Sequence, residues 1–181
     1  MSYQVLVLDL DGTLTNSKKE ITQPTLEALL DIQKKGVKVI LASGRPTIGV
    51  LPLAKQLHMD EFGSYVLSYN GARITDCRTG AIVSNRLLPK HVYRPAYELA
   101  KKYASYGVDL ITYREDEIIS GFKPNKYTQL EADINHIPIR MVEDLPSYVT
   151  WDINKLLGTG EPEYIDQLRR DAIDYFGSDL S

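Results

Sequence analysis

Three short apolar runs, each ending in a polar cluster and separated by segments of helical period, constrain this chain more than anything else in it. Gln4-Val5-Leu6-Val7-Leu8 leads into Asp9-Leu10-Asp11-Gly12-Thr13. Residues 37–42 (VKVILA) lead into Ser43-Gly44-Arg45-Pro46, and residues 65–69 (YVLSY) into Asn70-Gly71. Between the first two runs, Leu26, Leu29, Leu30 and Gln33 recur at helical spacing with Ile32 beside them. Thr22 suits the N-cap, Pro24 is tolerated in the first turn and Gly36 stops the helix. A second helix is expected from Pro46 to about His58. Continuous branched runs suit strands buried on both faces of a parallel sheet. Strand–helix–strand–helix–strand with short loops predicts an α/β fold with a doubly wound parallel sheet. In such sheets ligands sit beyond the carboxyl ends of the strands, where all three polar clusters fall.

Past residue 71 the rhythm changes. Residues 72–75 and 81–84 flank Arg78-Thr79-Gly80 and predict a β-hairpin. Pro89 opens an expected helix to about Tyr106, stopped by Gly107. Residues 108–122 predict two antiparallel strands around an acidic turn, and residues 126–135 a helix. Residues 137–149 give no clear period, interrupted by Pro138 and Pro146. Residues 151–159 predict a strand and residues 161–176 a helix. This mixture predicts an α+β second domain over residues 87–181, after a first domain over residues 1–86.

Composition excludes several classes. With 24 acidic and 21 basic residues the chain is not a basic nucleic-acid binder. No apolar run approaches the ~20 residues that span a bilayer, so no membrane partner is expected. Residues 1–4 lack the pattern of a signal peptide, and Cys77 is the only cysteine, so a cytoplasmic location is expected. Residues 1–90 carry 11 bases and 8 acids, and residues 91–181 carry 10 and 16, which hints at two parts with different tasks.

The sharpest chemical signal is Asp9-x-Asp11-Gly12-Thr13-Leu14 directly after a buried strand. Two carboxylates at i, i+2 share one loop, so one can attack while the other moves protons. Their mutual repulsion favours either a bound Mg²⁺ or one retained proton. Backbone N–H groups in a glycine turn can receive phosphate oxygens.

Asp9-Leu10-Asp11-Gly12-Thr13-Leu14 resembles the first motif of the haloacid dehalogenase superfamily of phosphohydrolases. Ser43, in Leu41-Ala42-Ser43-Gly44-Arg45, matches the Ser or Thr of the family's second motif. The S-G-R form, with Asn70-Gly71-Ala72 after the third strand, is similar to the Cof-type subgroup, in which an α/β cap is inserted after that strand. The resemblance implies a Rossmann-like core and a Mg²⁺-dependent phosphatase acting through an aspartyl-phosphate. It implies that Asp9 is the nucleophile, that Asp11 is the general acid–base, and that Mg²⁺ is held by the Asp9 carboxylate and the Asp11 main-chain carbonyl. Ser43 would donate its hydroxyl to a phosphate oxygen, helped by the N–H groups of Leu10 and Gly44. Gly12 and Thr13 support the loop. Arg45 either reaches substrate oxygens or forms a salt bridge at the helix start. Asn70 is either a turn residue or a site residue.

The remaining candidates carry less. His58, His91 and His136 show no metal-ligand spacing. Cys77 has no flanking partner pattern, the tyrosines of the second domain read as packing, and Arg114-Glu115-Asp116-Glu117 reads as a solvated turn. The family's later Lys and G-D-x-x-N-D stretch, which follow the cap, have no counterpart here, and Lys155 lies in an expected cap strand. The chain is therefore expected to lack the returning part of the core and to be inactive or weak alone, as a monomer or weak homo-oligomer. The expected substrate is a small phosphorylated metabolite, with sugar phosphates favoured over phosphorylated cofactors. The rival readings are a hexose phosphomutase of the same superfamily and a non-catalytic phosphometabolite-binding protein.

Overall fold

A computed structural model of the chain describes residues 3–177 and divides into two compact units, Met1–Arg86 and Leu87–Ser181. In the first unit, β1 (Val5–Asp9), α1 (Gln23–Lys34), β2 (Lys38–Ala42), α2 (Thr47–Gln56), the single turn α3 (Met59–Phe62) and β3 (Tyr65–Ser68) follow the predicted alternation. The strands β4 (Arg73–Asp76) and β5 (Ile82–Asn85) form the predicted hairpin. The sheet runs β1-β2-β3-β4-β5; the first three strands are parallel and the last two antiparallel to their neighbours.

Its core lies on one face. Leu6, Leu8, Val39, Leu41 and Val66 of the strands meet Leu26, Leu29 and Ile32 of α1 and Val50, Leu53 and Ala54 of α2. Parallel connections that step in one direction along a sheet, each right-handed, bring both helices to the same side. The expectation that β1 is buried on both faces is corrected accordingly. Val5 and Val7, which alternate with Leu6 and Leu8, are 51% and 55% exposed among the described residues. Thr22 stands at the N-cap of α1, but its hydroxyl meets that of Thr25 instead of a helix N–H. Helix α2 ends before the expected His58, which takes a left-handed conformation (φ 52°) and starts α3.

The second unit holds α4 (Tyr93–Lys101), β6 (Asp109–Arg114), β7 (Glu117–Ser120), α5 (Lys126–Asn135), β8 (Ile139–Met141), the single turn α6 (Leu145–Tyr148), β9 (Leu157–Thr159) and α7 (Pro162–Phe176). Its sheet is mixed, in the order β8-β7-β6-β9. The helix expected from Pro89 to Tyr106 is broken into 3₁₀ turns at Lys90–Val92 and Ala104–Tyr106 around α4. The strand expected over 151–159 shrinks to β9. Upstream, the Ile153 N–H donates to Tyr93 Oη, the Ile153 carbonyl accepts from Leu88, and the Lys155 carbonyl accepts from the Thr112 hydroxyl. Those backbone groups are satisfied outside a ladder, so strand pairing is not required of them.

Among the described residues no helix is long and apolar enough to cross a membrane.

Candidate active site

Strand register brings the three polar loops together. Asp9 pairs with Ala42, and Ala42 with Leu67, so these residues stand in one row. Leu10, Ser43 and Ser68 form the next row, where the chain has left the sheet after β1 and β2 while Ser68 closes β3 against Arg73 of β4. Backbone hydrogen bonds then tie the second and third loops: the Asn70 N–H donates to the Ser43 carbonyl (3.0 Å) and the Tyr69 N–H to the Arg45 carbonyl (2.9 Å). Tyr69, Asn70 and Gly71 all have positive φ (53°, 57° and 84°), which turns the third loop sharply back over the sheet end. Thr47 and Ser68 join their hydroxyls at 2.7 Å beneath it.

The first loop is a tight turn. The Leu14 N–H donates to the carbonyls of Asp9 and Leu10, and both the N–H and the hydroxyl of Thr15 donate to the Leu10 carbonyl. Gly12 takes φ 84°, a conformation in which a Cβ would be strained. Leu10, Leu14 and Thr15 are buried, which anchors the loop and leaves Asp9, Asp11, Gly12 and Thr13 at the surface.

The two carboxylates occupy different environments. Among the described residues no side chain is hydrogen-bonded or ion-paired to the Asp9 carboxylate. Asp11 is clamped. Arg45 Nη2 donates to its Oδ1 at 2.6 Å and Arg45 Nε to its Oδ2 at 3.0 Å, a bidentate pair. Lys19 Nζ adds a 2.8 Å contact to Oδ1. The Arg45 hydrogen bonds, with help from Lys19, outweigh desolvation and hold the Asp11 carboxyl down at about 2. Arg45 is itself only 7% exposed, and its Nη1 reaches the Gly49 carbonyl at 3.4 Å. It thus touches the start of α2, as one sequence reading had it, but its main partner is the first loop. The Arg45 N–H donates to Ser43 Oγ at 3.2 Å, which leaves the Ser43 hydroxyl hydrogen available to another acceptor.

Lys19 is the site residue that motif reading missed. Asn16 and Glu20 close a turn in which the Lys19 N–H donates to the Asn16 carbonyl and Lys19 takes φ 64°. The only sequence signal for it is a turn-forming Asn16-Ser17 five residues past Asp11. Cys77 lies half-buried against the core cluster of this unit, where burial pushes its thiol up to about 11. His58 contacts Glu61 at the surface.

The donors available to a metal are hard oxygens: the open Asp9 carboxylate and main-chain carbonyls of its loop. That chemistry fits Mg²⁺, which keeps several waters and takes one or two carboxylates plus substrate phosphate. Among the described residues no group of three or more His, Cys, Asp or Glu side chains is placed to hold a metal.

The family model described as haloacid dehalogenase-like hydrolase matches residues 6–181. A Streptococcus pyogenes protein, provisionally named a phosphatase, is 29% identical over 169 residues, which cover 92% of this chain and 61% of that protein. A solved haloacid dehalogenase-like hydrolase from Bacteroides thetaiotaomicron superposes with a TM-score of 0.87 at 37% identity, covering 97% of this chain and 65% of that one. The subclass IIB sugar phosphatase BT4131 shares the fold, with a TM-score of 0.73 at 21% identity over 92% of this chain and 62% of that one. The chain therefore spans about three fifths of the length of the relatives it matches.

Proposed function

The chain belongs to the haloacid dehalogenase-like hydrolase family, with the Cof-type form of its motifs, and from that membership we propose that its first unit carries the phosphoryl-transfer loops of a phosphatase acting on small phosphorylated metabolites. Sugar phosphates lead as substrates, ahead of phosphorylated cofactors. The observation that carries this reading is the asymmetry of the aspartate pair: Asp9 is open, whereas Asp11 is held by Arg45 and Lys19. We read residues 1–86 as the front of the catalytic core and residues 87–181 as the cap.

In this reading an Asp9 oxygen attacks phosphorus and the ester P–O bond breaks. The leaving oxygen takes a proton from Asp11, and an aspartyl-phosphate remains. Water then gives its proton to Asp11 and attacks phosphorus. The bond to Asp9 breaks and inorganic phosphate departs. The Ser43 hydroxyl and the N–H groups of Leu10 and Gly44 donate to the phosphoryl oxygens, where charge develops. Asp9 and the Asp11 carbonyl would hold Mg²⁺, which supplies charge neutralisation for an anion approaching an anion. An Asp11 clamped by two cations is ionised, so it must part from Arg45 and take up a proton from water before it can act as an acid. Gly12 and Thr13 keep the loop in shape, and Asn70 braces Ser43 through its backbone.

The test is phosphate release by the 181-residue chain from hexose phosphates, FMN and pyridoxal phosphate in Mg²⁺, with mass spectrometry for a phosphorylated Asp9. We expect weak turnover at most, and any turnover to be abolished by Asp9→Asn. Robust turnover would refute the expectation that this chain alone is inactive or weak, and turnover that survives Asp9→Asn would refute catalysis through Asp9.

A further inference from the structure

In the second unit, Asp109 opens β6 with 0% of its surface exposed. The titratable groups of the elements around it are engaged elsewhere or exposed. On α4, which packs against β6, Arg94 pairs with Asp144 and Glu98, Tyr93 and Tyr97 donate to the Leu88 and Glu143 carbonyls, and Lys101 is exposed. Glu117 of β7 pairs with Arg140, Lys126 of α5 with Glu161, and Glu131 of α5 accepts from Tyr113 of β6. Tyr127 of α5 donates to Glu161, Asp133 accepts from Gln129, Arg114 of β6 lies over Trp151, and β9 has no titratable side chain. The neighbours of Asp109 are neutral. Its Oδ1 accepts from the Phe122 N–H at 3.0 Å, and its Oδ2 lies 2.8 Å from Ser120 Oγ and 2.9 Å from Thr128 Oγ1.

Counting hydrogens decides the state of this group. The cluster has four oxygen–oxygen contacts of hydrogen-bond length: Asp109–Ser120 at 2.8 Å, Ser120–Phe122 carbonyl at 2.8 Å, Asp109–Thr128 at 2.9 Å and Thr128–Thr159 at 2.7 Å. Ser120, Thr128 and Thr159 bring one hydroxyl hydrogen each, so three hydrogens must serve four contacts. With Asp109 ionised, Ser120 would have to divide its one hydrogen between Asp109 and the Phe122 carbonyl, a weaker three-centre arrangement. A hydrogen on Asp109 Oδ2 resolves the set. Asp109 donates to Ser120 and Ser120 to the Phe122 carbonyl. Thr159 donates to Thr128 and Thr128 to Asp109. Each hydroxyl then donates once and accepts at least once, and Asn125 Nδ2 closes the chain by approaching Thr159 Oγ1 at 3.2 Å.

We infer that Asp109 is a neutral carboxylic acid in the folded second unit, a hydrogen-bond donor around which β6, β7, β9 and the start of α5 are assembled. Burial pushes its carboxyl above the ordinary range, against the opposing pull of Ser120 and Phe122. The sign of the consequence follows. An aspartate whose folded-state pKa is raised stabilises the fold fully below the unfolded value and loses that contribution as pH rises through the folded one. The contribution of Asp109 to the second unit thereby weakens with increasing pH, from about pH 4 upward.

The experiment is carbon NMR of the chain labelled at aspartate carboxyls, with the Asp109 signal identified by its loss in Asp109→Asn. At about pH 6, well above the ordinary aspartate range, the expected Asp109 resonance is that of the protonated acid. Asp109→Asn keeps a donor at the same place, so it should melt within about 5 °C of wild type. Its melting temperature should also rise relative to that of wild type as pH increases between about 4 and 7, because only wild type loses the contribution of Asp109 on ionisation. A carboxylate resonance at about pH 6 would overturn the inference, as would a difference in melting temperature that stays constant across that range. If that variant does not fold, assigned wild-type spectra decide the question alone.

Discussion

Replacing Arg45 by methionine deletes the guanidinium but keeps an apolar stem in its buried slot. The fall of the Asp11 carboxyl from 3.8 to about 2 corresponds to roughly 2.4 kcal/mol at ~1.36 kcal/mol per pKa unit. Asp11 is 38% exposed, and screening by water removes roughly half of that, leaving about 1 kcal/mol shared between Arg45 and Lys19, with Arg45 the larger part. A double-mutant cycle of Arg45→Met and Asp11→Asn should therefore return the larger share of that, a coupling of about 0.7 kcal/mol at neutral pH. Trp151 reports only on the second unit, so urea unfolding of the first should be followed through amide signals of β1 and β2. The pH sign is fixed by the depressed carboxyl. The stabilisation is present above about pH 4 and lost as pH falls toward 2, so wild type and Arg45→Met should converge in stability at the acid end. A coupling below about 0.3 kcal/mol, or an Asp11 titration that Arg45→Met leaves in place, would refute the clamp.

Cys77, pushed up to about 11 by burial, is thiolate to roughly one part in a thousand at pH 8, so its alkylation should be at least ~100-fold slower in native protein than in urea; equal rates would show that the thiol is open. At Asn70, whose φ is 57°, glycine should be tolerated within about 0.5 kcal/mol while valine costs about 1–2 kcal/mol in denaturant titrations. Retained phosphate binding in Asn70→Gly would assign Asn70 to the turn, and lost binding with intact stability would assign its side chain to the site.

The parts of this protein that sequence made legible are those encoded within a few residues. A branched run followed by Asp-x-Asp-Gly, Ser-Gly-Arg or Asn-Gly names a strand and the loop that ends it. The parallel register then brings the three loops together without further instruction. What escaped depends on distant partners. Arg45 lies 34 residues from Asp11, and no local rule says which of its alternatives wins until both loops are in place. Lys19 reaches Asp11 only because a turn doubles back. The continuous apolar run of β1 reads as a strand covered on both faces, whereas among the described residues α1 and α2 both pack on one of them. Asp109 reads as one polar residue in an apolar strand, since its hydroxyl partners, Ser120 and Thr128, come from two other segments.

The same logic separates three aspartates of one type. Asp9 and Asp11 stand two residues apart on one turn, and what distinguishes them is that two cations from other segments converge on Asp11. Asp109 meets only hydroxyls and amides in a buried setting, and the balance reverses toward the neutral acid. A carboxylate's role is set by which charges the fold delivers to it and how much water it leaves there. In the first loop that leaves Asp9 open and Asp11 held ionised by Arg45 and Lys19. If the loop acts as proposed, a substrate phosphate would offer Arg45 and Lys19 a competing anion, and the event that places the substrate would also loosen Asp11 for proton transfer.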